Sequence, residues 1–136
     1  MTDEKLNVFY QQIADAVIEM VPEKWSLVKL YAEMWDDFST IYFYYFPDNG
    51  AEPVISLSIP RLFEVDRDEY TRLKRRLRKQ IEQLQDVFMA NGQELWTNIT
   101  FILHSDGEFT IDYSYEDLSD LDPVEKRERW EARHIQ

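Results

Sequence analysis

The residues best suited to chemistry in this sequence are the carboxylates of one short stretch, IDYSYEDLSDLD, at residues 111–122. The stretch contains no Lys or Arg, and two tyrosines lie directly beside its acids. Such groups would bind a divalent cation, attract a basic partner, or form a solvated edge that aids solubility. The five carboxylates are those of Asp112, Glu116, Asp117, Asp120 and Asp122.

The pattern of these acids gives little support to metal binding or catalysis. Asp112, Glu116 and Asp117 are hard oxygen ligands, but they lack the alternate spacing and the glycine turn of a calcium loop. The two histidines, His104 and His134, lie in no catalytic motif, and there is no cysteine. We therefore expect no enzyme activity, no metal and no cofactor. A metal-dependent hydrolase that uses Asp112 and its neighbours is kept as an alternative.

The net charge of −12 is unevenly distributed along the 136 residues. Seven of the fifteen basic residues lie between residues 66 and 79, around the run RLKRRLRKQ, together with three acids. The rest of the chain carries 24 acids and 8 bases, a balance of −16. A surface this negative repels nucleic acid and anionic lipid and attracts basic proteins. We expect a protein partner, with no direct binding to nucleic acid or to membranes.

The strands that position these acids follow from the spacing of the apolar residues. A period of two predicts three strands, LVKLYAEMW, STIYFYYF and VISLSI, and then a hairpin formed by WTNITFIL and FTIDYSY. These segments predict an antiparallel sheet of about five strands. The acidic stretch begins in the last of them.

The helices follow from apolar residues at helical spacing. The first helix ends before Pro22, the longest begins at Asp66 with the basic run on its solvent side, and a short C-terminal helix begins after Asp122. The order αβββαββα predicts an α+β fold with helices packed on one face of the sheet. We expect one domain over residues 1–136, without a signal peptide or a membrane span, and therefore a cytoplasmic protein.

The aromatic residues of STIYFYYF fall on both faces of the predicted strand. If helices cover one face of the sheet, Tyr42 and Tyr44 lie on the other, which is usually polar. Two interpretations stay open. In one, a loop or the C-terminal helix covers this face, with Trp130 as its anchor. In the other, the face is bare and its tyrosines bind a partner or a second copy of the chain.

The stretches MVPEKW, LYAEMW, IYFYYF, WTNITF and IDYSYEDL, ending in KRERW, resemble the YezG-like immunity protein family, which includes EsaG-type antitoxins. The similarity runs from about Leu6 to Trp130. It implies a small cytoplasmic α+β protein that is not an enzyme and that silences a toxin nuclease, often one exported by a type VII-like secretion route. The strongly basic second helix departs from the more acidic or mixed helix expected in the family. The matching positions are Trp96, Thr97, Asn98, Asp112, Tyr113, Tyr115, Glu116 and Tyr42 to Tyr45.

The residues and the resemblance lead to one hypothesis about function. An inhibitor can compete with phosphate for the Lys and Arg of a nuclease cleft by offering carboxylates and aromatic side chains. We expect stoichiometric occlusion of that cleft, in which acids steer the encounter and tyrosines hold the complex. The alternative is a non-enzymatic interaction scaffold or a secretion chaperone for a basic client protein. The predicted partner-binding residues are Tyr42, Tyr44, Asp112, Tyr115, Glu116, Asp117, Asp120 and Asp122.

Overall fold

The computed structural model describes residues 3–135, and within them the strands form one sheet with helices on both sides. A 3-10 turn at Ser56–Ser58 links β3 to α2. No helix in this part of the chain is long and apolar enough to cross a bilayer. The elements are α1 (Asp3–Met20), β1 (Trp25–Met34), β2 (Ser39–Pro47), β3 (Val54–Ile55), α2 (Ile59–Leu62), α3 (Arg67–Ala90), β4 (Asn98–His104), β5 (Phe109–Ser114) and α4 (Pro123–His134).

The five strands are ordered β3-β2-β1-β4-β5, and every neighbouring pair is antiparallel. β1 is central because both of its edges are paired: Leu30 lies opposite Phe43 of β2 and Phe101 of β4. The predicted α+β class, the antiparallel pairing and the number of strands are confirmed. The last strand, which carries Asp112, is an edge of the sheet.

α1 and α3 pack together on one face of the sheet. Asp66 caps the N-terminus of α3, as predicted, because its carboxylate accepts the Glu69 backbone N–H at 3.0 Å. Its apolar stripe is buried against the sheet, as the helical spacing predicts, while its basic residues stay on the solvent side. The buried residues of α3 are Tyr70, Leu73, Leu77, Ile81, Leu84 and Phe88.

The third strand is shorter than the sequence predicts. The alternation in VISLSI places Ile55, Leu57 and Ile59 on one face of a single strand, but β3 has only two residues and the chain then turns into α2. Pro60 lies in the first turn of α2, where its fixed φ suits a helix and its missing N–H would interrupt a strand ladder. Ile59 is consequently buried, Leu57 is 55% exposed, and residues 39–42 at the outer edge of β2 have no strand beside them.

α4 packs on the opposite face of the sheet from α1 and α3. Its Trp130 lies against Tyr31, Tyr42 and Tyr44, which form an aromatic core separate from the one beneath α1 and α3. Of the two interpretations that were open for this face, the covered one is therefore correct. The prediction that the helices pack on one face of the sheet is therefore confirmed for the two long helices and wrong for the short C-terminal helix, which covers the aromatic face.

Candidate partner-binding surface

The acidic stretch continues from β5 into an exposed segment, residues 115–122, which leads to α4 and which we call the acidic loop. The Thr97 hydroxyl fixes its beginning, since it lies 2.8 Å from the carbonyl oxygen of Glu116 and 3.2 Å from that of Ser114 and donates to them. Leu118 is buried and fixes its middle. The loop is thus held by its backbone and by one apolar side chain, and its acids remain exposed.

The first three predicted carboxylates have different surroundings. Asp112 is exposed on β5. Both oxygens of Glu116 accept hydrogen bonds from Nη2 of Arg129 on α4, each at 2.7 Å. Asp117 accepts the backbone N–H of Ser119 at 2.9 Å, and its hydrogen bonds to Ser119 lower the pKa of this carboxyl group. Glu116 therefore ties the acidic loop to α4, while Asp117 stabilises the turn of the loop itself.

The last two predicted carboxylates lie where the acidic loop meets α4. Asp122 caps α4 by accepting the backbone N–H of Glu125 at 2.9 Å, and this bond lowers the pKa of its carboxyl group. Asp120 is exposed. Within residues 3–135, Glu116 alone of the five acids forms an ion pair, and no group of three or more His, Asp or Glu is placed to hold a metal ion. The structure thus leaves uncompensated negative charge on this edge of the molecule.

A cleft of about 340 Å³ lies between β5, the acidic loop and α4. Its lining combines Asp112 and Glu116 with Arg133 and His134 of α4. Burial lowers the pKa of His134, and the nearby charges of Lys29 and Arg133 lower it further against the opposing effect of Asp112. The lowered pKa favours the neutral imidazole. The cleft therefore presents carboxylates and guanidinium groups to a ligand.

α4 is held on the sheet by an aromatic cluster, defined as Tyr31, Tyr42, Tyr44 and Trp130. The Trp130 ring stacks on Tyr44 with 6.0 Å between centroids and meets Tyr42 edge-on at 5.5 Å. Its Nε1 donates to the Thr100 hydroxyl at 3.0 Å, which satisfies the one polar group of the indole. None of the four side chains is more than 9% exposed. The cluster is thus a small core of its own.

A buried ion pair provides a second link between α4 and the sheet. The Glu33 side chain of β1 is fully buried, and Nζ of Lys126 donates to it at 2.9 Å. The Tyr31 hydroxyl donates to the same carboxylate at 2.7 Å, and Nε1 of Trp35 donates to its other oxygen. Burial works against the charged form, but the hydrogen bonds from Lys126, Trp35 and Tyr31 outweigh it and lower the pKa of Glu33.

The three predicted tyrosines fall into two groups. Tyr115 is 46% exposed at the beginning of the acidic loop. Tyr42 and Tyr44 share one face of β2, as the alternation predicts, but α4 covers them and the Tyr44 hydroxyl donates to Glu131 of that helix. They would touch a partner only if α4 left the sheet. Direct contact through Tyr42 and Tyr44 therefore stays a prediction, and it requires a rearrangement.

Several residues that organise this surface were not predicted from the sequence. Glu33 gave a signal, because it is an acid in the middle of the aromatic face of β1 and a buried acid needs a partner. Trp130 is the predicted anchor of α4, and Lys126, which precedes it by four residues, lies on the same face of the helix. Nothing in the sequence pairs Arg129 with Glu116. That contact depends on how α4 lies across the sheet.

The WTN residues belong to the support of the acidic loop. Trp96 is 1% exposed, and its carbonyl oxygen accepts Nε2 of Gln85 at 3.0 Å. Asn98 is 8% exposed, and its Nδ2 donates to the Thr97 hydroxyl at 3.1 Å. Since Thr97 in turn holds the beginning of the loop, these three residues act within the fold.

Comparison with known proteins agrees with this architecture. The family model described as "Immunity protein YezG-like" matches residues 6–136. The chain is 37% identical to Immunity protein YezG of Bacillus spizizenii over 137 residues (99% of this chain, 85% of the relative) and 33% identical to Immunity protein YezG of Bacillus subtilis over 128 residues (93% and 85%). It is 26% identical to the type VII secretion system protein EsaG of Staphylococcus aureus over 115 residues (85% and 71%).

The chain therefore belongs to the YezG-like immunity protein family. Membership gives it an immunity role of the antitoxin kind, and this role implies a cognate toxin as its partner. The resemblance inferred from the sequence is confirmed.

Proposed function

We propose that this protein neutralises a toxin nuclease in the cytoplasm of the producing cell by binding stoichiometrically over its basic active cleft. The observation that carries the proposal is the exposed acidic loop, in which Asp117 and Asp120 have no ion-pair partner within residues 3–135. The negative net charge of −12 adds a long-range attraction to a basic protein. The name of the S. aureus relative supports a toxin of a type VII secretion system.

The acidic loop presents carboxylates, which are attracted to the basic residues of a phosphate-binding cleft. A nuclease holds the DNA or RNA backbone with Lys and Arg, and exposed carboxylates compete for the same groups. Such charges mainly raise the rate of encounter, whereas buried aromatic contacts lengthen the life of the complex. Tyr115 lies at the beginning of the acidic loop and is exposed, so it is accessible for an aromatic contact that slows dissociation. In the arrangement described, Tyr42 and Tyr44 contribute indirectly, because they hold α4 and with it the partner of Glu116.

The direct test is a titration of this protein into the nuclease assay of the toxin-like protein encoded beside it, at low and at moderate salt. We expect inhibition to be complete at a fixed molar ratio and to weaken as salt rises, because the attraction between exposed charges is screened. Undiminished cleavage at a large excess of this protein would contradict the proposal.

Removing the unpaired acids should slow the formation of the complex. We expect Asp117→Asn combined with Asp120→Asn to reduce the association rate constant about three- to tenfold at low salt and to leave the dissociation rate nearly unchanged, because rim charges act on encounter. Stopped-flow mixing or surface plasmon resonance with the toxin at several salt concentrations measures both rates.

The matched control for this variant removes the same number of negative charges elsewhere on the surface. Glu52→Gln combined with Glu94→Gln removes two exposed acids outside the acidic loop and should reduce the association rate constant much less. Equal effects of the two double variants would show that only the overall charge matters, and the assignment to the acidic loop would fail.

Tyr115 should contribute to the lifetime of the complex. We expect Tyr115→Ala to cost about 2 kcal/mol of binding free energy, or about a 30-fold rise in Kd, mainly through faster dissociation. Isothermal titration calorimetry and dissociation kinetics measure the change, and Tyr115→Phe, which keeps the ring, should retain most of the affinity. An alanine variant with unchanged Kd would remove Tyr115 from the interface.

The alternative function is a non-enzymatic scaffold or secretion chaperone, and the type VII name of the S. aureus relative is the observation that favours it. Such a protein would bind its basic client away from the catalytic cleft. The titration distinguishes the two functions, because a chaperone complex forms at a fixed ratio while nuclease activity stays intact.

A further inference from the structure

The outer edge of β2 is open over residues 39–42. β3 pairs with β2 only at Tyr44 and Tyr45, and the next outward-facing backbone group, the N–H of Phe43, is satisfied by the hydroxyl of Ser56 at 3.1 Å. Beyond this point the chain has turned away into α2. Residues 39–42 of β2 therefore have β1 on one side and no strand on the other.

The alternation of antiparallel pairing identifies the backbone groups that face this open side. Trp35 donates its N–H to the Phe38 carbonyl oxygen in the β1–β2 turn, and Phe43 donates its own away from β1 to Ser56. Every second residue back from Phe43, namely Ile41 and Ser39, must therefore also direct its N–H and C=O away from β1. No hydrogen bond among the described residues uses these outward groups of Ile41 and Ser39.

A groove of about 320 Å³ lies beside the open edge, between β2 and the first half of α3. Its floor is apolar and includes Met20, Ile41 and Leu77, and Leu57, which is 55% exposed, lies at its border. An extended chain added to β2 would place every second side chain on the same face of the sheet as this floor. The groove therefore has the position and the polarity to take the apolar side chains of an added strand.

The rim of the groove is positively charged. It is formed by Lys74, Arg75 and Arg78 of α3, all of which are exposed. Within residues 3–135, neither Lys74 nor Arg75 takes part in an ion pair, and Arg78 lies 3.6 Å from Glu82 in an exposed pair of little strength. In a chain with a net charge of −12, this rim is a local exception that suits an acidic ligand.

We propose that the open edge of β2 binds an extended acidic segment of a partner protein by β-strand addition. The outward N–H and C=O groups of Ile41 and Ser39 supply backbone hydrogen bonds, the groove takes apolar side chains, and Lys74 and Arg75 pair with acids of the segment. A second copy of this chain fits less well. Symmetric pairing of two β2 edges would bring two basic rims together, and Ser39–Pro47 contains no acid to compensate them.

This surface is separate from the acidic loop. β2 and β5 are three strand spacings apart in the sheet, or about 14 Å, and the two surfaces attract opposite charges. The proposed strand addition can consequently be tested independently of the proposed nuclease inhibition. Its test uses a model peptide and no toxin.

The probe is the fluorescein-labelled peptide Val-Thr-Glu-Thr-Val-Thr-Glu-Thr, whose valines and glutamates lie on one face of an extended chain, and its control has lysine in place of each glutamate. We expect saturable binding of the glutamate peptide by fluorescence anisotropy and none of the lysine peptide. We also expect the bound peptide to slow hydrogen exchange of the Ile41 amide and to leave the Phe43 amide, which is already bonded, unchanged. Equal binding of both peptides, or protection confined to another part of the chain, would overturn the proposal.

Charge and backbone are then tested separately. Lys74→Glu with Arg75→Glu should weaken binding of the glutamate peptide roughly tenfold or more, whereas Arg61→Glu with Lys79→Glu, an equal change outside the groove, should weaken it far less. Ile41→Pro removes the outward N–H without removing a bond to β1 and should abolish binding, while Ile41→Val retains it. Unchanged affinity of the Lys74 and Arg75 double variant for the glutamate peptide would contradict the proposal. A wild-type dimer in sedimentation velocity that becomes a monomer in Ile41→Pro would also contradict it, because the edge would then bind a second copy of the chain.

Discussion

Replacing Trp130 with alanine should lower the free energy of unfolding by about 3–5 kcal/mol and release α4 from the sheet. The indole fills the space above Tyr31, Tyr42 and Tyr44, and its removal leaves a cavity that a short helix cannot close. It also deprives the Thr100 hydroxyl of its hydrogen-bond donor. Urea denaturation followed by far-UV circular dichroism measures the loss, and hydrogen exchange of the α4 amides reports the release of the helix.

Two further variants separate packing from general damage to α4. Trp130→Phe keeps an aromatic ring but loses the bond to Thr100, so it should cost clearly less than alanine. Val124→Ala changes a side chain of the same helix that is 62% exposed and should stay within about 0.5 kcal/mol of the wild type. If Trp130→Ala were as mild as Val124→Ala, α4 would not depend on the aromatic cluster and the covered-face description would be wrong.

Removing Lys126 should be comparably severe. Lys126→Ala leaves the Glu33 carboxylate buried with no opposite charge, and breaking a buried ion pair from one side costs about 3–5 kcal/mol. Glu33→Gln combined with Lys126→Met removes both charges and should recover most of the loss. Denaturation of the single and the double variants measures these differences.

The same ion pair gives stability a specific dependence on pH. The folded-state pKa of Glu33 lies below its ordinary value of 4.5, so its contribution is fully present above about pH 4.5 and is lost as pH falls through the folded pKa. In Lys126→Ala the hydrogen bond and the charge of Lys126 are gone, so the folded pKa of Glu33 should be higher than in the wild type. As pH falls, the stability difference between the wild type and this variant should therefore shrink, first through the higher folded pKa of Glu33 in the variant and then through its lower folded pKa in the wild type.

The control for the denaturation and pH experiments on Lys126→Ala is an ion pair on the surface. Arg72 and Glu69 form an ion pair on α3 whose side chains are 60% and 52% exposed, and Arg72→Ala should cost much less stability than Lys126→Ala. A loss of this small size in Lys126→Ala, or a difference from the wild type that does not change with pH, would show that the Glu33 ion pair does not hold α4.

The sequence predicts the parts of this fold that depend on local periodicity. The alternation in β1 and β2 assigns each residue to a face correctly, so that Tyr31, Tyr42 and Tyr44 share one side and Leu30 and Phe43 share the other. These assignments are reliable because a shift of one residue would expose the whole apolar set.

Other features depend on groups that are distant in the chain. Glu33 meets Lys126 across 93 residues, and no local pattern specifies this contact. The early end of β3 could be predicted only in part. Pro60 is a local signal against a continuing strand, but the regular alternation of VISLSI obscures it. The burial of Tyr42 and Tyr44 could be given only as one of two alternatives, since it depends on where α4 docks.

The separation of charge across the sheet has a consequence for motion in solution. Excess positive charge lies beside β2, on Lys74 and Arg75, and excess negative charge lies beyond β5, on Asp117 and Asp120. These two groups of charges contribute a component of the electric dipole moment along the order of the strands, in addition to the net charge. The field of a strongly basic protein exerts a torque on this dipole component, and the torque turns the acidic loop toward that protein before the surfaces touch. The torque weakens once the Debye length, about 8 Å at physiological ionic strength, is shorter than the separation of the two proteins.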